Sequence, residues 1–98
     1  MTIYPYRTTL TSLAGATSST TLDIIGGLLR QVLIVANTAS TVFQPFITDE
    51  AGLEVSRYGL QTGEMSDLTA IPVRGRYTIS ITNASPNDTF RIFLGVQE

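Results

Sequence analysis

Apolar and polar residues alternate along much of this chain, which is the pattern of β-strands with one buried face. In residues 77–82 the odd-numbered positions are apolar and the even-numbered ones carry hydroxyl groups. In residues 89–96 the even-numbered positions are apolar. Residues 83–88 between these runs are mostly turn formers. The pattern predicts two strands and favours an antiparallel hairpin between them.

A second hairpin is predicted between residues 41–48 and 53–58. Its connection contains Asp49, which suits the first position of a turn, and Gly52, which supplies a positive φ. Pro45 lies inside the first of these runs and has no N–H for a ladder hydrogen bond. We therefore expect this strand to lie at a sheet edge or to carry a bulge.

Three further runs complete the pattern. Residues 28–36 are apolar on both faces, which favours a central strand, whereas residues 18–25 alternate and residues 65–73 do so more weakly. Residues 1–16 form either an N-terminal arm or a first strand, and residues 17–98 form a single β-sandwich domain. With no helical pattern, we predict an all-β, antiparallel two-sheet β-sandwich, jelly-roll-like or Ig-like, of seven to eight short strands.

The composition removes most catalytic chemistry. Among 98 residues there is no Lys, His, Cys or Trp, while Thr and Ser supply fifteen and eight hydroxyl groups. Disulfides, thiolate chemistry, ordinary zinc or copper sites and Ser-His-Asp triads are excluded. We therefore expect a protein that is not an enzyme, with no catalytic residue, no metal site and no cofactor.

A few residues still allow other chemistry. Thr2 would become an N-terminal nucleophile if the initiator were removed, but a Thr at this position is commonplace. Asp49 and Glu50 are adjacent, so we interpret them as solvated turn carboxylates and not as a catalytic pair. Calcium would require Asp88, Asp23 or Asp49 together with loop carbonyls, and no calcium-loop spacing is present.

Charge and targeting signals limit the partners. Six Arg residues are scattered along a chain of net charge −2, so we expect no nucleic-acid partner. The N-terminus has no secretory pattern, and no apolar run approaches the roughly 20 residues of a membrane helix. We expect synthesis in a cytoplasm and no membrane association.

The absence of Lys favours protein contacts. Soluble β-proteins commonly protect sheet edges with Lys, yet residues 41–48 and 77–82 carry no charge at all. Protein interfaces are enriched in Arg and Tyr. In this chain Arg is the only cationic side chain and Tyr is the only polar aromatic one. Either bulges and loops such as the one around Pro45 cover the edges or partner subunits do; the composition favours partners, and we predict a homo-oligomer. Arg74 and Arg76 are either two exposed side chains at a strand start or a guanidinium pair that clamps carboxylates of a neighbour.

The texture of the sequence resembles the small β-sandwich decoration or cement proteins of tailed bacteriophages. The resemblance lies in residues 26–38 (GGLLRQVLIVANT), 46–52 (FITDEAG), 77–84 (YTISITNA) and 90–94 (FRIFL). It covers most of the chain but includes no catalytic or ligand fingerprint. It implies a structural virion protein that forms a trimer or dimer and binds the major capsid protein on the capsid surface.

In that class an N-terminal arm often contacts the shell. The resemblance therefore points to residues 1–16, with Tyr4, Tyr6 and Arg7 as anchors beside Pro5. On this hypothesis, deleting residues 2–12 abolishes capsid binding and leaves the sandwich folded.

Two alternatives remain open from the sequence. One is a receptor- or carbohydrate-binding module of a phage tail or adhesion structure, although sugar binding favours exposed aromatics and the Phe residues are expected in the core. The other is a subunit of a bacterial appendage or shell, which predicts donor-strand exchange through residues 1–16.

Overall fold

The computed structural model describes residues 3–13 and 16–98, and all the regular elements in these ranges are β-strands. They are β1 Ile3–Thr11, β2 Ser18–Ala36, β3 Val42–Thr48, β4 Glu54–Arg57, β5 Gln61–Thr62, β6 Glu64–Thr82 and β7 Thr89–Gln97. The hydrogen-bonded order is β1-β7-β2-β6-β5-β3-β4, with β3 also paired to β6, and every pairing is antiparallel. The all-β antiparallel prediction is confirmed. These ranges contain no helix that could cross a membrane.

Two strands of 19 residues each, β2 and β6, form the middle of the sheet. The separate strands predicted at 18–25 and 28–36 are one strand, because the backbone continues in extended form through Gly26 and Gly27. Gly27 has a φ of +145°, and a Cβ there would overlap the carbonyl oxygen of Gln97 in β7. Glycine is therefore required where β2 bends against β7.

The two halves of β2 have different neighbours. Its first half pairs with the second half of β6, which pairs on its other side with β3. Its second half lies between the first half of β6 and β7. The rings of Phe43 in β3 and Phe90 in β7 nevertheless meet edge to face, with centroids 5.0 Å apart. The sheet therefore curves around its core. The backbone pairings form one continuous sheet, so the predicted two-sheet sandwich is not confirmed by them.

The first predicted hairpin is wrong. Residues 89–96 form a strand as expected, whereas residues 65–73 and 77–82, predicted as separate runs, are parts of the one strand β6. Strand β7 pairs with β1 and β2 and has no ladder with β6. The physical reason lies in the connecting segment, which is bound to two distant parts of the chain. The amide of Ser85 donates to the Val42 carbonyl at 3.0 Å, and the amide of Asn87 donates to the Ser12 carbonyl at 3.0 Å. The chain therefore crosses the end of the molecule instead of turning back on itself.

The second predicted hairpin is confirmed by the antiparallel pairing of β3 with β4. Asp49 Oδ1 accepts hydrogen bonds from the amides of Ala51 and Leu53, both at 3.0 Å, and Gly52 has a φ of +82°. The side chain thus nucleates the turn, as the sequence pattern requires.

The uncharged runs lie inside the sheet. Residues 77–82 belong to the half of β6 that has a strand on each side, and β3 is flanked by β6 and by β4 and β5. Pro45 is buried opposite the gap between β4 and β5, where one side of β3 has no strand partner. Strand β4, at one end of the order, has four residues, of which Glu54 and Arg57 are charged. Neither uncharged run is therefore a sheet edge, so their lack of charge does not indicate an edge that a partner must cover.

Residues 3–11 form a strand along the whole length of β7. Leu10 enters the core, and the Ser12 hydroxyl donates to the Ser85 carbonyl at 2.6 Å. Deleting residues 2–12 would remove these contacts and expose the margin of β7. The hypothesis that this deletion leaves the rest folded is therefore revised, since the segment is part of the structural unit.

The core contains the apolar faces predicted for residues 77–82 and 89–96. Its fully buried side chains include Phe43, Phe90, Leu29, Val32, Ile34, Ile47, Ile79, Ile81, Ile92, Leu94 and Val96. Phe46 and Phe93 were also expected there, but both are only half-buried. Each lies on the outer side of the sheet beneath a guanidinium group, Arg57 at 4.6 Å and Arg7 at 5.5 Å from the ring centroid. Such cation–π contacts cover the ring faces of these two residues, which are not buried in the core.

Candidate interaction surfaces

The bend in β2 brings together residues that the sequence places far apart. The Tyr6 hydroxyl accepts a hydrogen bond from the Ile25 amide at 3.3 Å, and the Arg74 Cγ lies 3.8 Å from the position of a Cβ on Gly26. Ile25 itself is 82% exposed. We call Tyr6, Ile25 and Arg74 the bend surface. Tyr4, which is two residues before Tyr6 on the same face of β1, is 45% exposed.

Arg76 does not form a free pair with Arg74. Its Nε donates to Asp23 Oδ1 at 2.9 Å, and its backbone amide donates to Glu50 Oε1 at 2.7 Å. The hydrogen bond from Arg76 holds the pKa of the Asp23 carboxyl below its usual value. Of the two guanidinium groups proposed to clamp a neighbour, Arg76 is thus occupied within the chain. Arg74 has no carboxylate partner among the described residues.

Arg7 points to the other side of β1 from Tyr6. It lies over Phe93 at the rim of an open groove of about 670 Å³. The floor of the groove includes Leu33 and Val35, both half-buried, and Arg91 lies on its rim. We call Arg7, Leu33, Val35, Arg91 and Phe93 the outer face. It combines partly exposed apolar groups with two cations that have no ion pair within residues 3–13 and 16–98.

Asp88 is a buried carboxylate with a structural environment. Thr41 Oγ1 donates to its Oδ2 at 2.6 Å, and the amides of Thr38 and Thr89 donate to the carboxylate at 3.2 and 2.9 Å. The hydrogen bond from Thr41, with those from the two amides, lowers the pKa of Asp88 against the opposing effect of burial. This side chain connects the loop before β3 to the start of β7.

The arrangement does not assemble a metal site within the part of the chain that the structure describes, although Asp23, Asp49 and Glu50 line one open pocket with Arg76. No group of three His, Cys, Asp or Glu side chains is positioned to bind an ion there. Asp88 is engaged by threonines, Asp23 by Arg76, and Asp49 by the amides of its own turn. Thr2 lies outside the described residues.

Sequence reasoning selected Tyr4, Tyr6, Arg7, Arg74 and Arg76 but missed the apolar parts of both surfaces. The signal for Ile25 was available, because Ile24 and Ile25 are adjacent and consecutive strand residues face opposite sides. One of the two therefore had to point outward. Phe93 gave the same signal, since it occupies an odd position in a run whose even positions form the buried face. Only the strand register shows that Phe93 and Leu33 share an outer row.

The sequence matches no protein-family model and no curated protein.

Proposed function

We propose that this chain is a structural, non-enzymatic virion protein that binds the outside of a phage capsid as a homo-oligomer and stabilises it. The observation that carries the proposal is the 82% exposure of Ile25 at the bend surface. A single exposed aliphatic side chain is ordinary on a protein surface, but Ile25 lies beside Tyr6 and Arg74, and Tyr and Arg are enriched at the energetic centres of interfaces, which supports a contact site here. The resemblance to decoration proteins supplies the capsid as the partner.

Repeated weak contacts suit such a role. Burying one isoleucine side chain is worth about 1.5–3 kcal/mol, which is too little for a stable pairwise complex. A shell presents the same contact many times, and linked copies bind with far higher avidity than one copy alone. An oligomer whose subunits each present Ile25 and Tyr6 would therefore hold neighbouring shell subunits together.

We propose further that the sheet works as two layers, in a sandwich of jelly-roll-like or Ig-like type. One layer would contain β1, β7 and the second half of β2 with the first half of β6; the other would contain β3, β4 and the remaining halves. The Phe43–Phe90 contact supports this proposal, because it joins strands that belong to different layers. Layers of this kind would hold the bend surface rigidly at one end.

The test is co-sedimentation with capsids that lack this protein. We expect the wild-type chain to bind saturably and Ile25→Asp to lose at least ten-fold in affinity. Leu60→Asp is the matched control, since Leu60 is 62% exposed between β4 and β5 beside the start of β3, whereas it is the end of β3 that lies next to Thr78 and the bend. It should bind like the wild type.

Two results would contradict the proposal. One is the absence of binding by the wild-type chain to any stage of the shell. The other is selective, saturable binding on a glycan array, which would favour the carbohydrate-binding alternative. A loss of shell binding by both variants equally would remove the assignment of the contact to the bend surface.

A further inference from the structure

A single row of side chains crosses the outer face with opposite charges at its two ends. Val35 in β2 pairs with Arg91 of β7 on one side and with Glu64 of β6 on the other. Residues directly opposite in antiparallel ladders project to the same face, so all three point outward together. Arg91 and Glu64 are exposed and separated by two strand spacings, about 10 Å, and no ion pair joins them in the described chain.

The adjacent row is apolar at its centre. Leu33 pairs with Phe93 of β7 and with Ser66 of β6. Leu33 and Phe93 are each only half-buried. Within these two rows the outer face presents apolar groups at Val35, Leu33 and Phe93, positive charge at Arg91 and negative charge at Glu64.

This pattern is complementary to itself. If two copies meet face to face about a two-fold axis that runs along β2, the left and right sides of the face are exchanged. Arg91 of each copy then lies opposite Glu64 of the other, twice in the interface. Val35 and Leu33 of the two copies meet at the axis. An isologous contact requires such a match of a surface with itself.

We infer that this protein forms a two-fold dimer through its outer face, with reciprocal Arg91–Glu64 pairs around a Val35 and Leu33 centre. The inference rests on the homo-oligomer of the proposed function and names its surface and symmetry. It leaves the bend surfaces of both copies free for the shell.

The size of the face sets the expected strength. Four strands span about 19 Å and the two rows extend over about five residues of β7, or about 17 Å, so each copy offers about 320 Å² and the dimer would bury about 650 Å². This area is smaller than that of standard specific interfaces and is in the range of weak, transient contacts. We expect weak, reversible association at micromolar concentrations, not a permanent dimer.

The experiment is sedimentation equilibrium from 1 to 200 µM on four proteins: wild type, Arg91→Glu, Glu64→Arg and the double exchange. The wild type should dimerise, and each single reversal should raise the dissociation constant at least ten-fold, because like charges then face each other twice. The double exchange should restore the wild-type constant to within about three-fold. Arg74→Glu makes the same charge change on the bend surface and should leave dimerisation unaltered.

Folding is checked on the same samples by circular dichroism and urea unfolding. If a charge reversal unfolds the chain, Val35→Arg provides a second disruption of the same face and should also yield monomers. A monomeric wild type over the whole range overturns the inference. So does a double exchange that is no better than the single reversals, or an oligomer that all these variants leave intact.

Failure of this inference is distinguishable from failure of the proposed function. A wild-type monomer that still sediments with capsids overturns the outer-face dimer and retains the capsid role. A dimer that is rescued by the double exchange but binds no capsid supports the outer face and overturns the capsid role.

Discussion

The contact between Phe43 and Phe90 tests the curvature of the sheet. In the strand order, β3 and β7 are separated by β2 and β6, so a flat sheet would hold these two rings far apart. Instead their centroids are 5.0 Å apart at an interplanar angle of 64°. Edge-to-face aromatic pairs contribute about 0.5–1.5 kcal/mol beyond the area they bury. The two side chains should therefore be energetically coupled.

The perturbation is a double-mutant cycle with Phe43→Leu and Phe90→Leu. Leucine keeps most of the buried volume, so each single change should lower the free energy of unfolding by about 1–2 kcal/mol. The double mutant should lose about 0.5–1.5 kcal/mol less than the sum of the singles, because the ring contact is lost only once. For a domain of this size, 1 kcal/mol corresponds to about 4–8 °C in Tm.

The assay is urea unfolding at 25 °C with a common m-value, supported by thermal melts. A control cycle pairs Phe90→Leu with Val96→Ala, since these buried residues are six positions apart on β7, about 20 Å. The control pair should be additive within about 0.5 kcal/mol. Additivity of the Phe43–Phe90 pair to the same degree would refute the curved sheet and the two-layer proposal.

Three further predictions concern stability. Gly27→Ala should lower the free energy of unfolding, measured with urea, by about 2 kcal/mol or more, because its φ is +145° and the β7 backbone lies against it. Gly59→Ala is the control: a Cβ there meets no atom within 4 Å, so the change should be small. The pKa of Asp88 is lowered in the folded state. Asp88 therefore stabilises the fold above its usual pKa of 3.8, and this stabilisation is lost as the pH falls through the folded-state pKa. In a plot of the free energy of unfolding against pH, Asp88→Asn should reduce the loss of stability at acid pH. Thr41→Val removes a hydrogen bond to Asp88 and should move this loss to higher pH. An unchanged plot for both variants would contradict the role of these hydrogen bonds. Deleting residues 3–11 should lower the urea concentration at the midpoint of unfolding or abolish the cooperative transition. A transition with the wild-type midpoint would show that β1 is dispensable.

Local pattern identified the strands well, and tertiary context decided their partners. Alternation correctly predicted that Ile79, Ile81, Ile92 and Leu94 lie on buried faces, because a strand with one buried face has apolar residues at every second position. The hairpin between residues 77–82 and 89–96 failed because adjacency along the chain does not determine pairing. The hydrogen bonds that take this segment across the molecule involve distant backbone groups, which no local pattern reveals.

The two glycines at the β2 bend show a similar limit. A Gly-Gly pair between two apolar runs normally indicates a break, and the sequence analysis separated the runs there. The structure keeps one strand, since the bend needs the positive φ of Gly26 and Gly27 and the missing side chain of Gly27. The same residues thus signal a turn locally and a curved strand globally.

The candidate residues stay a prediction. Tyr4 and Tyr6 came from the resemblance, as anchors of an N-terminal arm, and Arg74 from its pair with Arg76; the fold places Tyr6 and Arg74 near the same bend. The reason given for exposed edges does not hold, because the uncharged runs are interior to the sheet. Protein contacts are expected instead at the sheet faces where Ile25 and the groove beside Phe93 meet solvent. Such faces depend on register across three strands and are not visible in any single segment.

The central claim is that this chain strengthens a shell by binding it through the bend surface. Differential scanning calorimetry of purified capsids, with and without saturating protein, tests it most directly. The account predicts that the wild-type chain raises the temperature at which the shell comes apart, and that Ile25→Asp at the same concentration does not. A shell transition that stays in place with bound wild-type protein, or that rises equally with both chains, would contradict it.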